Sequence, residues 1–308
     1  LKCGTGRIVI LGSGLIGLLA KEVFPLATIL PFGKSRFYFV CPPLEDDFIV
    51  APADGSEIGQ VIGQQTLNFR TVRRAISING FLASDDIAKS QYVSRVYEDA
   101  PSFTTKLLNS NFNVYPVTCH DLYLALLNKR KEEIMQSIEQ YGRVLDVAPN
   151  VIKCEKSGIE FDLAISTIPL KALSDLTGYL FGRLRAHNIH YYFIGTDSLN
   201  FEGADQVLVA DSHIGFHKVN RLSQYTYVFN NIGPIPTPEP YFGAFLKNRF
   251  DIIGSTSVED AIPTSPAPDL TQFTKQFMIE AVGSCAQWDD FFDVSSCIQR
   301  LIRLRNKG

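Results

Sequence analysis

Three glycines, Gly12, Gly14 and Gly17, carry the clearest chemical signal in this chain, in the run Gly12-Ser13-Gly14-Leu15-Ile16-Gly17. A glycine at the first position permits a tight turn out of a strand. One at the second leaves backbone open to a pyrophosphate, and one at the third lets a helix lie close to the strand. The chemistry is anion capture: the N–H groups that follow Gly12 and Gly14, those of Ser13, Leu15 and Ile16, would face phosphate at the positive end of a helix. The pattern has this meaning only between a strand and a helix. Both neighbours are present, an apolar run Ile8–Leu11 before it and an apolar helical pattern through Val23 after it. Dinucleotide binding is therefore expected.

Other reactive side chains are less ordered. His187, His190, His213 and His217 show H-x-x-H and H-x-x-x-H spacings in a segment that reads as strand, where neither spacing puts two imidazoles on one face. No metal is assigned to them. The six cysteines form no C-x-x-C pair, so free thiols in a reducing, cytoplasmic setting are expected. No Ser-His-Asp arrangement or nucleophilic cysteine is legible.

The charge balance, 29 basic against 32 acidic residues with a net charge of −3, lacks the footprint of a dedicated nucleic-acid binder. Three basic clusters, Arg70–Arg74, Lys129–Lys131 and Arg300–Lys307, read as solvated faces, but they are where a phosphate-bearing substrate would first be sought. No apolar run reaches the ~18 residues of a membrane span.

Positioning these groups requires elements from separated parts of the chain. Ala27–Leu30 reads as a second buried strand, and Arg36–Val40 and Phe48–Ala51 as short ones. A helix is expected over Asp85–Val96 and another over Asp121–Met135, with Asp121 as N-cap or first-turn acid. Arg143–Val147, Val151–Lys156 and a strand from Ile159 follow, then Phe161–Ile165. His190–Asn230 reads as β-rich, Ile232–Pro240 as a rigid loop, Phe277–Val282 as a buried strand and Val294–Arg305 as an amphipathic helix.

The order of these segments resembles the flavin-dependent amine oxidase superfamily, including protoporphyrinogen-oxidase-like and UDP-galactopyranose-mutase-like proteins. Four pieces carry the likeness: the opening glycines; Val114-Tyr115-Pro116 with Thr118–His120 and a helix; Arg143 to Leu170, ending Ile165-Ser166-Thr167-Ile168-Pro169-Leu170; and Met278 to Asp289 before the last helix. The resemblance implies an α/β protein. A Rossmann-like FAD-binding domain, a parallel sheet with a small antiparallel excursion, would occupy 1–45, 112–170 and 275–308. A smaller α+β substrate domain would occupy 46–111 and 171–274.

It also implies bound FAD, with the pyrophosphate on the Gly12–Gly17 turn and the adenine end near Val144. Thr167, Pro169, Gly283, Trp288 and Val294 would lie near the flavin. Two positions depart from the family pattern. The second strand ends Leu30-Pro31-Phe32-Gly33, without the acid that binds ribose hydroxyls, so a ribose or phosphate contact is expected from Ser35 or Arg36; and Ser284 stands where the family has arginine. On the substrate side Arg221 and His217 are the candidate catalytic residues, with Phe216 and Lys218 nearby.

The implied activity is hydride transfer from a small substrate to flavin. The alternatives are a flavin-dependent sugar-nucleotide mutase, a phage-type flavoenzyme remodelling a modified DNA base, and a degenerate Rossmann-like protein without catalysis. The partner expected is a small-molecule substrate, not a membrane.

Overall fold

The computed structural model describes residues 6–32, 48–51, 56–64, 69–78, 81–83, 86–98, 111–197, 199, 203–222, 224–246, 249–287 and 294–307. The expected strand Arg36–Val40 and the candidate contacts Ser35, Arg36 and Trp288 lie outside them. Three sheets organise the rest.

The first is a four-stranded sheet in the order Ile279–Ala281, Leu163–Ser166, Ile8–Leu11, Thr28–Leu30, parallel throughout. Its strands are short apolar runs because both faces are covered. On one face lie the helices Leu15–Val23, Cys119–Tyr141 and Val294–Lys307, packed through Leu18, Leu19, Leu122, Leu126, Ile298 and Leu301. On the other lies a three-stranded antiparallel sheet, Val144–Ala148, Val151–Cys154 and Gly158–Glu160, which buries Val147 and Ile152 against Val9, Leu11 and Leu30.

The long helix has a legible start and stop. Thr118 is its N-cap, accepting from the Asp121 N–H at 3.0 Å, and Gly142 ends it at φ 72°. Asp121 is thus the first-turn acid rather than the cap. The helix runs to Tyr141, six residues past the expected Met135, because its second half is mostly polar and shows little apolar periodicity.

The larger sheet has nine strands, ordered Phe250–Pro263, Ala186–Thr196, Thr226–Ile232, Phe216–Arg221, Gln206–Val209, Arg70–Ile78, Asn111–Thr118, Phe48–Val50, with Phe81–Ala83 beside Arg70–Ile78. One face packs helix Asp86–Tyr97 through Ala88, Tyr92 and Val96. The other packs helix Pro238–Leu246 through Phe242 and Leu246.

Two expected elements differ from what forms. Ile232–Pro240 is not loop throughout, since a helix begins at Pro238, where proline at a helix start forfeits no bond. Phe277–Val282 is not one strand: Phe277 closes the helix Thr271–Phe277, Met278 turns at φ 55°, and only Ile279–Ala281 is strand.

Candidate functional site

The glycine turn sits at the carboxyl end of the central strand, the usual place for a ligand in a parallel sheet. Gly12 has φ +107°, a conformation L side chains rarely adopt, and its N–H donates to the Leu30 carbonyl at 2.8 Å. A Cβ on Gly17 would lie 2.0 Å from the Gly12 carbonyl oxygen, so only glycine lets the helix approach this closely. Gly14 is different. It is the N-cap at φ −68°, and a Cβ there would have nothing within 4 Å.

The space over Gly14 thus fits the assignment of a phosphate cradle. Among the described residues no side chain caps this helix, and no acid stands in its first turn, so the first-turn N–H groups have no acceptor from their own helix at its positive end.

Of the other predicted residues, Thr167 and Gly283 come close to this turn, while Pro169, Val294 and Val144 lie on elements packed around the same sheet. Thr167 donates through Oγ1 to the Leu11 carbonyl at 3.0 Å, and the same oxygen closes over Gly12 and Gly17. Pro169 is the N-cap of helix Leu170–Thr177 on the adjacent crossover. Gly283, at φ +122°, leaves the next strand so that a Cβ on it would touch Ile16 at 3.9 Å. Val294 opens the last helix, half-buried against the cluster that holds the first helix. Val144 is half-buried in the antiparallel excursion, on the cluster shared by Leu11, Leu30 and Phe32.

Two residues not singled out from sequence belong here. Ser166 Oγ and Gln287 Oε1 are buried without a hydrogen-bond partner among the described residues, the first at the carboxyl end of a parallel strand and the second at the end of the short helix Ser284–Gln287 that follows its neighbour. Unsatisfied buried polar atoms of this kind call for a ligand or water. Ser166 stands inside a quoted motif, whereas nothing in the sequence marks Gln287.

The candidate catalytic residues lie apart from the turn, in strand Phe216–Arg221 of the large sheet. Arg221 is half-buried at the strand's end, its N–H donating to the Asp205 carbonyl at 2.8 Å. His217 is fully buried at a register shift, with Nδ1 3.2 Å from the Tyr92 hydroxyl. Burial, reinforced by Lys218, Arg95 and His187, holds its pKa well below the usual imidazole value. His187 approaches Glu98 at 3.3 Å, and burial lowers its pKa against the pull of that carboxylate. Among the described residues no group of three His, Cys, Asp or Glu could hold a metal ion.

The neutral His217 has a measurable consequence. The unfolded chain takes up a proton near pH 6.5 and the folded one does not, so the histidine's contribution is fully retained above that pH. As pH falls below about 6.5, stability should decline by up to about 1.4 kcal/mol per unit from this group. Urea midpoints between pH 5 and 7.5 would show the slope, and His217→Asn should flatten it; an unchanged slope would assign the acid sensitivity elsewhere.

A cavity of about 850 Å³ lies beside helix Asp86–Tyr97, lined among others by Ile78, Gln91, Arg95, Asp211 and His213. None of the glycine-turn residues lines it. The turn is the better candidate for chemistry because open space over Gly14 meets an uncapped helix end at the carboxyl edge of a parallel sheet.

A scan of protein-family models finds no match, and a search of curated proteins finds none in sequence. Solved structures do match. The chain aligns over 98% of its length with 93% of a reduced UDP-galactopyranose mutase, at TM-score 0.67 and 10% identity. It aligns over 98% with 98% of the cyclohexylamine oxidase of Brevibacterium oxydans, at TM-score 0.64 and 8% identity. A flavin-dependent monooxygenase, PieE, solved with FAD and substrate, matches 97% of this chain across 56% of its own, at TM-score 0.57 and 11% identity.

The chain has the fold of these flavoproteins. The flavoprotein fold accounts for the parallel sheet, its antiparallel excursion and the large curled sheet in one chain. Among the described residues no helix is long and apolar enough to cross a membrane.

Proposed function

We propose that this chain binds FAD and is an FAD-dependent oxidoreductase taking hydride from a small substrate. The observation that carries the proposal is the turn itself: a strained Gly12, a Gly17 in backbone contact, and open space over Gly14 at an uncapped helix end. FAD, when bound, supplies the hydride acceptor. The chain's own residues bind and orient it. Backbone N–H groups of Ser13, Leu15 and Ile16 face the diphosphate, Thr167 holds the turn closed, and Ser166 and Gln287 offer unsatisfied oxygens to hydroxyl donors. The first turn of the last helix, Val294 onward, presents N–H groups that favour negative charge. Around this end Val282 donates to Ser166 at 2.9 Å, which fixes the strand that delivers Gly283.

Purified protein, mixed with FAD and passed through a desalting column, should retain a visible flavin spectrum. A screen of amines and amino acids, free and phosphorylated, run without oxygen, should then find one that bleaches it. Colourless protein after desalting, with no change in melting temperature on adding FAD, would end this proposal.

A further inference from the structure

In two of the three basic clusters of the sequence, arginines that face the fold are paired with carboxylates. Lys129 and Arg130 pair with Glu22 on the first helix at 2.6 and 3.0 Å, and Arg300 pairs with Glu280 at 2.9 Å. The third, on strand Arg70–Ile78, differs. Arg70, Val72 and Arg74 alternate onto one face, where Val72 packs with Phe48, Val114 and Phe112. The Arg70 guanidinium lies 5.5 Å from the Phe48 ring centre and that of Arg74 lies 4.5 Å from the Phe112 ring centre. The two rings meet edge to face at 6.3 Å.

Neither arginine is paired with a carboxylate among the described residues. Arg74 is nevertheless built into place. Its Nε donates to Gln206 Oε1, and Gln206, fully buried, donates through Nε2 to Asn220 Oδ1 at 2.8 Å. That relay and the ring beneath hold the guanidinium plane, leaving its two amino groups, the fork that fits phosphate, without an acceptor among the described residues.

The cluster also lies on the path to the proposed flavin end. Arg70 is in register with Val114, and Val114 with Val50, whose carbonyl accepts from Ser295 in the first turn of the last helix. Two strand spacings, about 10 Å, separate Arg70 from Val50.

We infer that Arg70 and Arg74 form a phosphate-binding subsite, so that the substrate is a small organic molecule carrying a phosphate or diphosphate. Two unpaired cations on adjacent rings suit a dianion. A monocarboxylate would neutralise only one of them. This inference names the substrate class for the proposed flavin site and rests on that assignment for its functional meaning, but binding at the arginines can be measured independently.

Inorganic pyrophosphate is the probe, titrated calorimetrically into the full chain with and without saturating FAD. FAD occupies the glycine turn, so the heat that remains in its presence reports the arginine subsite. Arg74→Ala and Arg70→Ala should each weaken that component about tenfold, and the double variant should abolish it. Arg303→Ala, on the exposed face of the last helix, should leave it unchanged. Gln206→Leu should weaken it while melting and circular dichroism report a folded chain, which marks Gln206 as a positioning residue. Arg74→Lys, which keeps charge without the fork, should restore less than half the affinity. If FAD does not bind, the arginine-dependent component is still read in its absence, and the two claims separate. Wild-type affinity in the double variant, or no saturable pyrophosphate binding to the wild type, overturns the subsite.

Discussion

Gly14→Val is expected to leave the fold nearly intact and to weaken FAD binding at least a hundredfold. Its backbone, φ −68° and ψ −178°, is open to any residue, and a Cβ meets nothing within 4 Å. The cost to folding is the difference between glycine and valine at an N-cap, about 1 kcal/mol. The new side chain would fill the space through which phosphate reaches the N–H groups. Gly17→Ala should behave in the opposite way. Its Cβ would lie 2.0 Å from one backbone atom of Gly12 and 2.8 Å from another, and backbone cannot rotate aside. The first helix must withdraw, straining the turn and the bond from Gly12 to Leu30. We expect a loss of about 3 kcal/mol or more, at the upper end of overpacking costs. Thermal melts and flavin titrations on both variants test the pair. Gly14→Val retaining wild-type affinity would show that the turn does not hold the diphosphate, whatever Gly17→Ala does.

How much was legible depended on how local the signal was. The strand–turn–helix at the start is encoded within sixteen residues, so its position and chemistry could be read directly. The last helix declares itself through Cys297, Ile298, Leu301 and Ile302 on one face, and these are the residues that pack. The nine-residue strand Arg70–Ile78 is not evident from its sequence, RTVRRAISI, because the adjacent Arg73 and Arg74 break the alternation and the segment sits amid Gly, Ser and Asn. It is a strand because neighbours more than thirty residues away pair with it on both sides. The strand Phe250–Pro263 is hidden in the same way, because its apolar ends flank a polar middle, Ser255–Ser257, without sustained alternation, and pairing with Ala186–Thr196 supplies the order.

The site divides along the same line. Glycines at fixed spacing have a backbone meaning that survives without coordinates. The arginines of the third cluster look in sequence like the other two clusters, and only the pairing of Glu22 and Glu280 elsewhere distinguishes them. His217 shows the converse. Its neighbours in sequence suggest a pocket, while a register shift in the strand turns it inward against Tyr92.

Arg95→Met should be the most damaging change outside the glycine turn. The Arg95 guanidinium, in the last turn of helix Asp86–Tyr97, donates to the carbonyls of Val209 at 2.5 Å and Phe216 at 3.1 Å, and to that of Ile214 between them. It ties the connection between two strands of the large sheet to one helix. Tyr92, one turn earlier, holds His217 at the strand that follows. Methionine fills much of the same volume and removes every donor. Charged hydrogen bonds contribute about 1.5–3 kcal/mol each and are not additive, so a loss of about 3–4 kcal/mol is expected, with a fall in Tm of roughly 6–10 °C. Hydrogen exchange should rise first across 209–217, ahead of the parallel sheet, because the clamp holds that connection and not the glycine turn. Flavin uptake should be retained in the folded variant. Arg95→Lys supplies one ammonium where a planar fork reached several carbonyls, and should recover only part of the loss. Uniform exchange in Arg95→Met, with an unchanged melt, would mean that the connection is held by Tyr241, whose hydroxyl accepts from the Gly215 N–H at 2.7 Å, and not by the arginine.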